Sequence, residues 1–120
     1  MKTSQDPRHQ HRIDLMQKLF ANSFQNSPQD ADIQSILLHR EQIDQQIVEA
    51  APEWPLEKIA RIDLAVLRLA IYELIIEVKE PQKVVIDEAV ELAKTFGNPN
   101  SPAFVNGALG TIIKHSQPIS

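Results

Sequence analysis

The sequence predicts an all-α protein, a compact helical bundle of about six helices. Apolar residues recur at helical spacing along most of the chain, and no segment shows the strict alternation of a half-buried strand. Asp6-Pro7 and Ser101-Pro102 each pair a capping residue with a proline suited to a first helical turn. With 120 residues, 42% of them hydrophobic, the chain makes one domain with a real core. Residues 1–6 and 116–120 are expected to be flexible ends of that single domain.

The first helix is expected from Pro7 to about Phe24, with Ile13, Leu15, Met16, Leu19, Phe20 and Phe24 in one inward half. Arg8 and Arg12 lie on the Leu15 and Leu19 stripe, one or two turns earlier, so the buried stripe becomes cationic at its start. Two arginines there oppose the positive end of the helix dipole, at a few tenths of a kcal/mol each, about what that effect is worth at a surface. Asn26-Ser27-Pro28 reads as a break, after which Asp30 or Asp32 starts a second helix through Ile33, Ile36, Leu37, Ile43, Ile47 and Val48. Pro52 and Pro55 stop it, and Trp54 between them reads as a core plug at a corner.

Pro55 to Ala60 allows one short helical turn, and Asp63 reads as the cap of a helix from Leu64 to about Glu77. That helix is apolar nearly all round and therefore central. Lys79-Glu80-Pro81 ends it. Val84 to Phe96 forms the next helix, with Gly97 as its C-terminal cap, and Asn98-Pro99-Asn100 is a turn. The last helix starts at Ser101-Pro102 and turns Val105, Ala108, Leu109 and Ile112 inward.

Composition removes several function classes. The absence of cysteine excludes disulfides, thiolate nucleophiles and cysteine metal sites, and fits a reducing compartment. Three glycines, Gly97, Gly107 and Gly110, match neither the dinucleotide nor the P-loop spacing. No secretory signal opens the chain, and the Ile62 to Val78 run is broken by Asp63, Arg68, Glu73 and Glu77, so no membrane span is expected. The default is a soluble, cytoplasmic protein.

The net charge of −4 hides a split. Residues 1–20 hold four basic and two acidic side chains, residues 21–91 six and fourteen, and residues 92–120 two and none. Two mildly basic ends thus flank an acidic middle, which makes a basic face if the ends meet.

The segment Leu67 to Leu74, LRLAIYEL, together with the two motifs C-terminal to it, resembles the NusB family of transcription antitermination factors. PQKVVIDEAVELAKTFG, Pro81 to Gly97, is similar to that family's P-x-K-V-x-I-N/D-E-A-x-E-L-A-K-x-F-G segment, and SPAFVNGAL, Ser101 to Leu109, to its S-x-x-F-V-N-G-V-L helix start. Order and spacing agree over about 50 residues, Ile59 to Leu109. Arg8, Arg12, Gln17, Leu19 and Phe20 match a basic first helix more loosely, as do Ile43-Asp44 and Trp54. The sequence departs from the pattern in holding only two of the usually denser arginines, and in an Asn26 to His39 stretch shorter by about one helical segment.

The resemblance implies an all-α, non-enzymatic factor without cofactor. It would bind boxA-type single-stranded RNA together with ribosomal protein NusE, in the RNA polymerase antitermination complex, during rRNA transcription. It places RNA contacts at Arg8, Arg12, Phe20, Asn100, Ser101, Phe104 and Asn106. Arginine offers phosphate a planar fork of donors, and an aromatic ring offers a base a stacking face. Lys2 and Lys18 add charge. Glu73 and Glu77 are expected to face the protein partner, or Glu73 to pair with a basic residue.

Each residue also has a plainer fate. The arginines suit a solvated helix end, Phe104 suits core packing, and Gly107 and Gly110 suit a close helix crossing. Arg68 reads as a structural ion-pair member. His9 and His11 point roughly 160° apart at about 100° per residue, which disfavours joint metal ligation. Two alternatives keep the fold: a protein-interaction module that has lost RNA binding, or the RNA-binding subunit of an rRNA methyltransferase whose catalytic domain sits on another chain.

Overall fold

Six helices form the described part of the molecule, residues 6–25 and 30–116 of a computed structural model. The expectations for the Asn26-Ser27-Pro28 break, for Lys2 and for the extreme termini lie outside those residues.

Helix α1 runs Pro7–Gln25, and its start is capped as the sequence implies, with the Asp6 carboxylate accepting the Arg8 backbone N–H at 2.9 Å. Asp30 plays the same part for the next element, accepting the Asp32 N–H at 2.9 Å above a 3-10 turn, Ala31–Ile33, that leads into α2, Gln34–Leu38. The expected single second helix is broken at His39, whose ring hydrogen bonds back to the Ser35 carbonyl at 2.8 Å; α3, Arg40–Ala50, follows. Ile33, Ile36, Ile43 and Ile47 all reach the core on either side of the break.

A 3-10 turn at Leu56–Lys58 separates the two prolines from α4, Arg61–Ile71, which continues as a π-helical stretch, Tyr72–Glu77. Every residue from Asp63 to Ile71 is buried, so this helix is the central one, packed by α1, α3, α5 and α6. The wider π stretch ends at Val78, a non-glycine residue at φ 50°, whose N–H reaches the Glu73 carbonyl at 2.9 Å. Helix α5, Gln82–Phe96, and α6, Ser101–Ser116, form an antiparallel hairpin over the Asn98 to Asn100 turn. Met16, Ile43, Leu67, Leu69, Leu92, Leu109 and Ile112 are almost fully enclosed, each contributing about 1.5–3 kcal/mol by leaving water.

Several local expectations are corrected. Asp63 is not the cap of α4, because the helix starts three residues earlier than expected, at Arg61, with Ala60 at the cap position. Phe24 and Val48 turn outward, 59% and 43% exposed, Val48 lying off the Ile43 and Ile47 stripe; Phe24 carries the Arg61 guanidinium 4.4 Å from its ring centre. Trp54 is no core plug: it stands half in water. Gly97 does end α5, but in an extended conformation, φ −93° and ψ −166°, not a left-handed one.

Candidate nucleic-acid interface

The first turns of α1 hold an ion cluster rather than a free basic stripe. Arg12 is 7% exposed, and its Nε and Nη2 donate to the Glu73 carboxylate at 2.9 and 2.7 Å, while Nη1 lies 3.7 Å from Glu88 Oε1. Hydrogen bonding to Glu73 holds its guanidinium above the ordinary value, against the opposing effect of burial. His9 Nδ1 meets the same Glu88 oxygen at 2.9 Å. The dipole cost of Arg12 in the first turns of the helix therefore has a structural purpose, which is to neutralise two carboxylates buried under α1. Glu73 takes the ion-pair role and is buried, whereas Glu77 is exposed, 3.8 Å from Lys79.

Arg8 remains the accessible arginine, its side chain 70% exposed and loosely held 3.5 Å from Asp6 and 3.6 Å from Glu80. The recess it borders is also lined by Asp87, Glu88 and Glu91, so this end of the molecule is not a basic face. Lys18 lies on α1 among Asp14, Asp30 and Asp32, at 3.0, 3.5 and 2.6 Å, and its ammonium pKa is raised chiefly by the hydrogen bond to Asp32. Phe20 is half-buried, edge-on to Phe24 with ring centres 5.0 Å apart.

The start of α6 is built differently. Asn98 Oδ1 accepts the Asn100 N–H at 2.8 Å, and the Asn98 N–H donates to Ser101 Oγ at 3.0 Å. The Ser101 hydroxyl donates in turn to the Asp63 carboxylate, whose pKa is nevertheless raised because burial outweighs that bond. Ser101 is fully buried, so it locks the turn and offers no hydroxyl to a ligand, a correction to its place among the contacts. Asn100 and Asn106 are exposed, and Phe104 is half-buried, edge-on to Trp54 at 6.5 Å. Trp54, Lys58, Ile59, Ala60, Asp63, Asn98, Asn100 and Phe104 line a recess of about 240 Å³. Along the helix, a Cβ on Gly107 or Gly110 would meet nothing within 4 Å, so neither glycine serves a helix crossing within this fold.

These two groups lie apart on the molecule. Arg12 contacts Glu73 near one end of α4, while Ser101 contacts Asp63 near the other, roughly 15 Å of helix rise away. Residue reading missed Glu88, Trp54 and Lys58. Glu88 had a legible signal, since it sits on the α5 stripe of Val85, Ala89 and Leu92 where a charge demands a partner. Lys58 had none: it gains meaning only by lying beside Phe104, 46 positions away. Arg68 keeps the structural role expected of it, paired in two places with Asp44 at 2.9 Å. No described helix is long and apolar enough to cross a membrane.

Comparison with known proteins agrees with this architecture. The model of the NusB family matches residues 29–114. The chain is 54% identical over 77 residues to the transcription antitermination protein NusB of Chloroflexus aggregans, covering 62% of this chain and 51% of that one. It is 48% identical over 80 residues to the protein of the same name from Trichlorobacter lovleyi, covering 67% and 56%. The matched stretch thus spans little more than half the length of these curated relatives. The solved structure of T. maritima NusB superposes with a TM-score of 0.83 at 34% identity, covering 98% of this chain and 96% of that one. Family model, sequence relatives and superposed structure agree: the chain belongs to the NusB family.

Proposed function

We propose that this protein is a transcription antitermination factor that binds boxA-like single-stranded RNA together with ribosomal protein NusE, within the RNA polymerase antitermination complex in the cytoplasm. The observation that carries this reading is the open start of α6, where the FVNG segment holds Phe104 at the surface beside exposed Asn100 and Asn106. A partly buried ring with one edge accessible among amide groups suits an unpaired base, and the similarity to relatives named for transcription antitermination supports the reading. Arg8 is the phosphate contact at the other end. The exposed carboxylate Glu77 is left for a basic protein partner. In this reading the factor has no catalytic step of its own, and Glu73 is held by Arg12 in a structural ion pair.

Gel retardation of boxA RNA against a scrambled oligomer, with and without NusE at moderate salt, tests the proposal. Preferential retardation of boxA that increases with NusE is expected, and equal retardation of both oligomers overturns it. Methyl transfer by the isolated chain would overturn the non-enzymatic part. The neutralised state of Arg12 favours a second reading, an interaction module without RNA affinity. That reading requires NusE binding with no retardation of any RNA at low salt.

A further inference from the structure

We propose that the recess between Trp54, Lys58 and Phe104 is a one-nucleotide subsite for single-stranded RNA. The base packs on the Trp54 indole and an adjoining backbone phosphate lies against Lys58. The inference rests on the RNA-binding reading above and adds residues that reading does not contain.

Trp54 is held out of the core by Pro52 and Pro55 on either side and by a turn in which its N–H donates to the Ala51 carbonyl at 3.0 Å. Half of this large ring is in water, and its contact with Phe104 is edge to face at 78°, so the two rings form a bent wall rather than a closed stack. A recess of about 240 Å³ is smaller than the pockets that take drug-sized ligands or extended cofactors, and suits a single flat ring system. Its rim is polar, with exposed Asn98 and Asn100, and its wall includes Asp63, whose Oδ1 is buried with no hydrogen-bond partner among the described residues.

Charge decides between a base and an apolar peptide side chain. Most described lysines and arginines lie within 4.0 Å of a carboxylate, as Arg8, Arg12, Lys18, Arg68, Lys79, Lys83 and Lys94 do. Lys58 is exposed and pairs with no carboxylate among the described residues, so its charge is available to a phosphate. An unpaired cation beside an exposed indole is the combination that single-stranded nucleic acid uses, a backbone contact next to a stacking platform.

Trp54 is the sole tryptophan, so its emission reports directly on the recess. The full chain is titrated at low salt with a boxA-like RNA oligomer, following Trp54 fluorescence and gel retardation in parallel. Binding is expected to quench the emission. Trp54→Ala should weaken affinity roughly tenfold, within the range known for loss of one stacked base, while Trp54→Phe retains most of it. Lys58→Gln should weaken binding severalfold and reduce the slope of log affinity against log salt by about 0.7. Thermal melting of each variant checks the fold, and Trp54→Phe with Lys58→Gln decide the matter if Trp54→Ala melts early. Retardation with unchanged emission and parent-like variants overturns the subsite and leaves the RNA proposal standing. Variants that lose NusE while RNA affinity holds also overturn it, since the recess would then dock protein. Absence of any retardation fells the RNA reading and the subsite with it.

Discussion

Arg12 on α1 and Glu73 in the π-helical stretch that continues α4 are joined by a buried two-pronged ion pair across 61 positions of sequence, with the shortest bond 2.7 Å. Removing one partner of such a pair strands the other in a dry site. Arg12→Ala leaves Glu73, with Glu88 nearby, short of its cation, and should destabilise the fold by about 3–5 kcal/mol. Denaturant unfolding of the variant measures this directly. Any loss of RNA binding by that variant would therefore be confounded with unfolding.

Arg8→Ala is the cleaner probe of the same helix end. The side chain is 70% exposed and its carboxylate neighbours are 3.5 Å or more away, so stability should change by less than about 0.5 kcal/mol. A retardation assay that shows weaker RNA binding by Arg8→Ala at unchanged melting temperature supports a phosphate contact. Unchanged binding removes Arg8 from the site.

The helices and the central place of α4 were legible because apolar spacing is a local property that folding obeys. The capping at Asp6 was legible for the same reason. The ion cluster was only half legible: the Arg8 and Arg12 stripe stood out, yet Glu73 and Glu88, which bury Arg12, lie on other helices and no local pattern joins them. Trp54 shows the opposite error. An aromatic residue between prolines reads as core, but the turn at Ala51 to Trp54 fixes its direction, and that direction is outward. The break at His39 was invisible since the apolar spacing of Ile36 and Ile43 continues across it.

Val78 adopts φ 50°, a region that β-branched residues avoid, at an exposed helix end. Its side chain is 64% in water, so little packing offsets the strain. Val78→Asn or Val78→Gly should stabilise the protein by about 1 kcal/mol, in line with the left-handed penalty for L-residues. A calorimetric melting temperature no higher than the parent's would contradict this.

Asp63 is held above the usual carboxylate pKa by burial, which the Ser101 hydroxyl offsets only in part. Below the ordinary value of 3.8 it is neutral in folded and unfolded chains alike. As pH rises past that value the unfolded chain ionises first, so this group lowers stability until the pH passes the folded value, after which its effect is constant. Asp63→Asn keeps the size of the side chain and removes the charge. It should stabilise the fold at neutral pH, with the gain vanishing toward pH 3.8. Urea unfolding at the two pH values compares them.

The three glycines separate packing from function. A Cβ on Gly97 would collide with Ser101 Oγ, approach Ser101 Cβ to 2.6 Å and reach the Ala93 carbonyl at 2.8 Å, so Gly97→Ala should cost about 1–3 kcal/mol. Gly107 and Gly110 have helical backbone and open space where a Cβ would go. Replacing either with alanine should therefore stabilise α6, by up to about 1 kcal/mol each. If this face of α6 receives the RNA backbone, the same substitutions fill the space it needs, and Gly107→Ala, the nearer to Phe104, should weaken RNA binding while raising the melting temperature. Opposite signs for stability and affinity in one variant cannot arise from unfolding. An affinity equal to the parent's in both variants would mean that the glycines are not there to admit RNA.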